Sequence, residues 1–182
     1  MRKNLSLRRL LTAAMLLALA LVLPFFTGQL PRIGKMLCPM HLPVLLCGFF
    51  CGPWYGLAVG LMAPLLRSAL FGAPPLVTIG LPMCAELAAY GAVSGLLYRR
   101  LSARRGGTYI ALLGAMLAGR LVWGCAKKGV FALLGLDFGW SLFWAGAVLD
   151  ALPGIALQIL LVPLLVTALR RGQSAAGGEG HA

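Results

Sequence analysis

The chain has 182 residues, of which 60% are hydrophobic and 11% charged, with a mean hydropathy of +0.92. Soluble domains average about 25% charged residues, so this composition excludes a water-covered globule and points to one polytopic membrane domain. The net charge of +12 sits in clusters that flank apolar stretches, without aromatic interleaving or a soluble fold, which argues against a nucleic-acid partner.

At about 20 residues per span, the apolar stretches give six crossings and an all-α bundle. The first runs from Leu10 to Phe26. Its start resembles a secretory signal, but Ala18 and Ala20 lie inside the apolar run and polar Gly28-Gln29 follows it, so an uncleaved helix is expected. The second runs from about Met36 to Cys51, a segment dense in Pro and Gly that carries His41. In hydrocarbon, such backbone survives only against protein or a water-filled cavity, so this segment suggests a built cavity. The third runs from Trp54 to Phe71. Joined to the second it would make a helix of about 36 residues, roughly 54 Å long, so Gly52-Pro53 is expected to turn. The fourth runs from Val77 to Tyr98, the fifth from Tyr109 to Leu134, and the sixth from Leu142 to Leu169. Residues 1–171 form the transmembrane domain in this reading, and residues 172–182 a disordered tail.

Six spans place three basic clusters on one side: Arg2, Lys3, Arg8 and Arg9; Arg99, Arg100, Arg104 and Arg105; Arg170 and Arg171. That is the cytoplasmic side under the positive-inside rule, so both termini are expected there. Five or seven spans would put one cluster outside.

The five cysteines, Cys38, Cys47, Cys51, Cys84 and Cys125, lie in or beside spans and are odd in number, which implies no disulfide framework. Cys38-Pro-Met-His41 lacks a second ligand pair, so no metal site is expected. Cys47 and Cys51, with Gly48 and Gly52, read as a close-packing face. Trp54, Trp140 and Trp144 fit interfacial positions, and Trp140 could also cap a pocket.

Ionisable groups inside spans are costly and by default mark a site or a buried pair. They are Arg67, Glu86, Arg120, Lys127, Lys128 and Asp150, with His41 at the start of the second span. At 1.5 Å per residue, Arg67 falls in the outer half, Glu86, Arg120 and Asp150 near the midplane, and Lys127 toward the outer surface. The inner half is almost bare, which describes a pocket open outward. Arg120, Trp123 and Lys127 fall on one stripe of the fifth helix, where the ring could stack on a flat solute and the cations hold an anionic group. The sixth helix adds Asp150 and Gln158 around Pro153-Gly154. Structural pairing, such as Arg67 with Glu86 and Arg120 with Asp150, is the competing explanation. The substrate-binding set expected is His41, Arg67, Glu86, Arg120, Trp123, Lys127, Asp150 and Gln158.

No zinc-protease, nucleophile-elbow or phosphate-loop motif occurs, so no catalytic residue or cofactor is expected and the chain cannot energise transport through ATP itself. A proton-coupled carrier using Glu86 or Asp150 remains open, although no internal repeat is evident. A membrane enzyme acting on a lipid head group is the remaining alternative.

The chain resembles the substrate-binding S components of energy-coupling factor (ECF) vitamin transporters, in the broad group that includes riboflavin and pantothenate proteins. The likeness lies in Thr27-Gly-Gln-Leu-Pro-Arg-Ile-Gly34, Pro39-Met-His-Leu-Pro-Val-Leu-Leu-Cys-Gly48, Pro64-Leu-Leu-Arg-Ser68 and Glu86-Leu-Ala-Ala-Tyr-Gly91. It continues through Gly119-Arg-Leu-Val-Trp-Gly124 and Pro153-Gly-Ile-Ala-Leu-Gln158, and covers about Leu10 to Leu169. The resemblance implies a subunit of the bacterial plasma membrane that binds a small vitamin-like solute outside. It then topples in the bilayer against a T component, powered by two cytoplasmic ATPase subunits. Ala14 and Ala18 of the first helix would form the docking seam, because small side chains let helices approach closely.

Overall fold

The computed structural model describes residues 2–26, 39–137, 139 and 152–178, with side chains from residue 6 to residue 169 within those ranges. Among these residues the chain forms six α-helices: α1 (Arg2–Phe26), α2 (His41–Cys51), α3 (Pro53–Phe71), α4 (Leu81–Leu101), α5 (Gly107–Leu133) and α6 (Leu152–Gly178). Five of them are long and apolar enough to cross a membrane, and α2 is a shorter apolar helix. Helices suit this environment because every backbone N–H finds a carbonyl within its own segment. The protein is an all-α membrane bundle.

Glycine and proline set the breaks. Gly52 adopts φ +99° and Pro53 opens α3, so the expected turn between the second and third crossings is present. Gly72 ends α3 in the left-handed region, its N–H bonded to the Ser68 carbonyl. A π-helical turn, Leu76–Gly80, then leads into α4.

α2 differs from the expected second span. Its helix starts at His41, while residues 36–38 fall outside the described residues. Eleven residues reach about 16 Å, roughly half of a 30 Å hydrocarbon core. Nine of the eleven are buried, so α2 is the central helix, wrapped by α1, α3, α4 and α6. Burial in protein is what permits a helix to begin at depth.

Helix α4 holds the bundle together through glycine contacts. Gly91 meets the Gly56 backbone of α3, and Gly60 meets the Leu87 backbone. A Cβ on Gly95 would lie 2.6 Å from Pro53 N and 2.8 Å from the Gly48 carbonyl oxygen. These positions read Gly56-x-x-x-Gly60 and Gly91-x-x-x-Gly95, the spacing that lets membrane helices pack backbone to backbone. The contacts also fix direction: α3 and α5 run antiparallel to α4, and α2 runs parallel to it. Val44, Leu45, Leu87, Leu112 and Ala115, all fully buried, fill the core around the glycine contacts. This half of the bundle is closed.

The last helix continues to Gly178, beyond the Leu169 boundary where apolar sequence ends. Helical hydrogen bonding needs no apolar surface, and the Gln-Ser-Ala-Ala run can extend the helix beyond the hydrocarbon.

Candidate functional site

Three helices bring charge together at one point. Glu86 lies on the buried face of α4, one turn before Tyr90. Arg120, near the middle of α5, places Nη1 2.9 Å from Glu86 Oε1. His41, the first residue of α2, places Nε2 3.4 Å from the same oxygen. The three side chains are 14% exposed or less.

The Arg120–Glu86 contact is an ion pair. Glu86 Oε1 and both ring nitrogens of His41 are buried without a hydrogen-bond partner among the described residues. Helix α2 also begins here, so the positive end of its dipole faces the carboxylate region. Removing a carboxylate and a guanidinium from water costs several kcal/mol per ion. Buried polar atoms with unmet hydrogen bonds call for an explanation such as a bound molecule.

Tyr90 and Gly119 shape the cluster, and sequence reasoning missed both. The Tyr90 ring meets His41 edge to face at 5.1 Å. A Cβ on Gly119 would lie 2.9 Å from the Tyr90 ring, so glycine lets the ring in beside Arg120. The available signals were spacing and adjacency: Tyr90 follows Glu86 by four residues, and Gly119 precedes Arg120.

Gln158 is 2% exposed, and its Oε1 has no hydrogen-bond partner among the described residues. It lies on the inward stripe of α6 with Ile155, Ile159, Val162 and Val166. Helix α6 packs against α2 and α5, two of the three helices that supply the charge cluster.

Arg67 is placed elsewhere. Its Nη1 donates to the Leu21 carbonyl at 3.0 Å, and its guanidinium lies 5.1 Å from the Phe25 ring centroid and 5.8 Å from that of Phe71. The expected Arg67–Glu86 pair is therefore replaced. Gly60 is level with Leu87, so Arg67, two turns further along α3, lies roughly 10 Å outward of Glu86 along the helix axis. There it meets the C-terminal end of α1, where carbonyls favour a cation.

Trp123 and Lys127 meet each other on α5, with Nζ 4.7 Å from the Trp123 ring and 5.5 Å from that of Phe131. One face of Trp123 is thus covered by a cation of its own helix. Lys128 lines an open concavity with Ala132, Gly135, Leu136 and Asp137 at the end of α5, away from Glu86. Asp150 lies outside the described residues, and its expected pairing with Arg120 lies there with it; the described carboxylate partner of Arg120 is Glu86.

Ala14 and Ala18 are both exposed, whereas Ala13 and Ala20 of the same helix are buried. α1 therefore turns one small-residue face inward and another outward. No group of three or more potential metal-binding side chains occurs among the described residues.

A sequence profile described as ECF transporter, substrate-specific component, matches residues 8–166. No curated protein and no solved structure matches the chain. The matched region takes in most of α1, all of α2 to α5 and just over half of α6, including every charged group of the site. The chain belongs to the family of ECF transporter substrate-specific components.

Proposed function

We propose that the chain binds a small vitamin-like solute with high affinity from outside the bacterial plasma membrane. Uptake then requires a T component and two cytoplasmic ATPase subunits. The observation that carries this reading is the charge cluster of His41, Glu86 and Arg120. It is buried at the junction of three helices, and both ring nitrogens of His41 and Glu86 Oε1 have no hydrogen-bond partner among the described residues. A solute offering donors and acceptors would complete them. Gln158, Trp123 and Lys127 belong to the same proposed pocket, toward its walls and mouth, and Asp150 is assigned to it from its sequence position alone. Arg67 acts from a distance, by fixing the end of α1.

Family membership supports the kind of partner, and the outward face of α1 at Ala14 and Ala18 supports where it docks. Small side chains there would let a partner helix come close.

Native mass spectrometry of the purified protein tests the binding claim. A co-purified small molecule is expected on the wild type and lost on Arg120→Ala. A mass that stays with Arg120→Ala at wild-type occupancy would remove the cluster from the site.

A further inference from the structure

One end of the bundle carries a concentration of positive charge that solute binding does not use. Gly107 packs against Leu101, so α4 and α5 meet in a short hairpin. Within it, the Arg104 N–H donates to the Leu101 carbonyl and the Gly107 N–H to the Arg104 carbonyl. Arg99, Arg100, Arg104 and Arg105 are thereby held together, and all four are exposed. Arg8 and Arg9 of α1, also exposed, reach the same end. Leu21 is level with Arg67, and α1 counted back twelve residues lies level with Tyr55, at the start of α3.

Nothing acidic answers these six guanidinium groups among the described residues. Glu86 is engaged with Arg120 in the interior, and Asp137 lies past the opposite end of α5. None of the six makes an ion pair among the described residues. Two amphipathic rings mark the level of this end: Trp54 is 79% exposed and Tyr109 50% exposed, as expected of rings at the head-group boundary.

Orientation in the membrane requires only positive charge, which lysine supplies equally well. Six arginines are more specific. The guanidinium fork can bind two phosphate oxygens at once, whereas an ammonium acts as a point charge. We propose that this end binds the phosphate head groups of anionic phospholipids in the cytoplasmic leaflet. Arg99, Arg100, Arg104 and Arg105 make the main contacts, and Arg8 and Arg9 lie beside them. The site is separate from the solute cluster and does not depend on the solute's identity.

The test uses the full chain in nanodiscs of equimolar phosphatidylglycerol and phosphatidylcholine, with retained lipids counted by native mass spectrometry. The wild type should retain phosphatidylglycerol over phosphatidylcholine by about fivefold or more. Replacing the four hairpin arginines by glutamine should bring the ratio near parity. Arg99→Lys, Arg100→Lys, Arg104→Lys and Arg105→Lys together keep the orienting charge and should give an intermediate ratio. A wild-type ratio at parity overturns the proposal, as does a full ratio in the lysine variant. Parity combined with loss of T-component co-purification in the lysine variant would assign the arginines to an acidic protein surface instead.

Discussion

Glu86 and Arg67 show how two buried charges of similar sequence context take different roles. Glu86 meets the His41 imidazole of α2 and the Arg120 guanidinium of α5, while Arg67 is spent on a carbonyl and two aromatic rings at the end of α1. Their variants should differ accordingly. Arg120→Ala should weaken solute binding by about 1.5–3 kcal/mol, the worth of a hydrogen bond to a charged group. Arg67→Ala should leave affinity within about 0.5 kcal/mol and lower thermal stability, because a buried contact between α1 and α3 is lost. Titration calorimetry on both proteins reads the difference. Equal losses of affinity would return Arg67 to the pocket. The intramembrane charges could be picked out from sequence because ionisable residues are rare in spans. Their partners could not: spacing gives the depth of Arg67 and Glu86 but not the rotation of α3 that points Arg67 at Leu21.

Among the described residues, helix number and most boundaries could be read directly, since apolar length and Gly-Pro breaks report them. The brevity of α2 was harder to see. Met36 to Cys51 is apolar apart from His41, and only the burial of α2 by its neighbours shows why a short helix is tolerated there. The seam between α3 and α4 was present as two Gly-x-x-x-Gly spacings, but which helices they join is a tertiary fact. Gly91→Ile would drive a branched side chain into the Gly56 backbone and should destabilise the bundle by at least about 1–3 kcal/mol. A wild-type melting temperature for that variant would contradict the packing described. At α1 the small residues have a different consequence. Ala14→Trp with Ala18→Trp adds bulk to an exposed face, so solute affinity should stay near wild type while complex formation with the T component fails. Normal uptake by the double variant would remove α1 from the docking surface.

For the whole molecule, the described residues give an arginine-rich, exposed end, a closed glycine-packed half and a polar cluster beyond it. Under the positive-inside rule, the hairpin between α4 and α5 is expected to face the cytoplasm. A cysteine placed at Ser102 should resist impermeant reagents in intact cells, and labelling from outside would invert the assignment. The central claim, a solute-binding subunit driven by separate ATPases, is tested most directly by uptake in proteoliposomes. The chain would be reconstituted with and without a T component and ATPases, using the solute that co-purifies with it. Accumulation should appear only in the full complex with ATP on the ATPase side. Accumulation by the chain alone, driven by a proton gradient, would contradict the account.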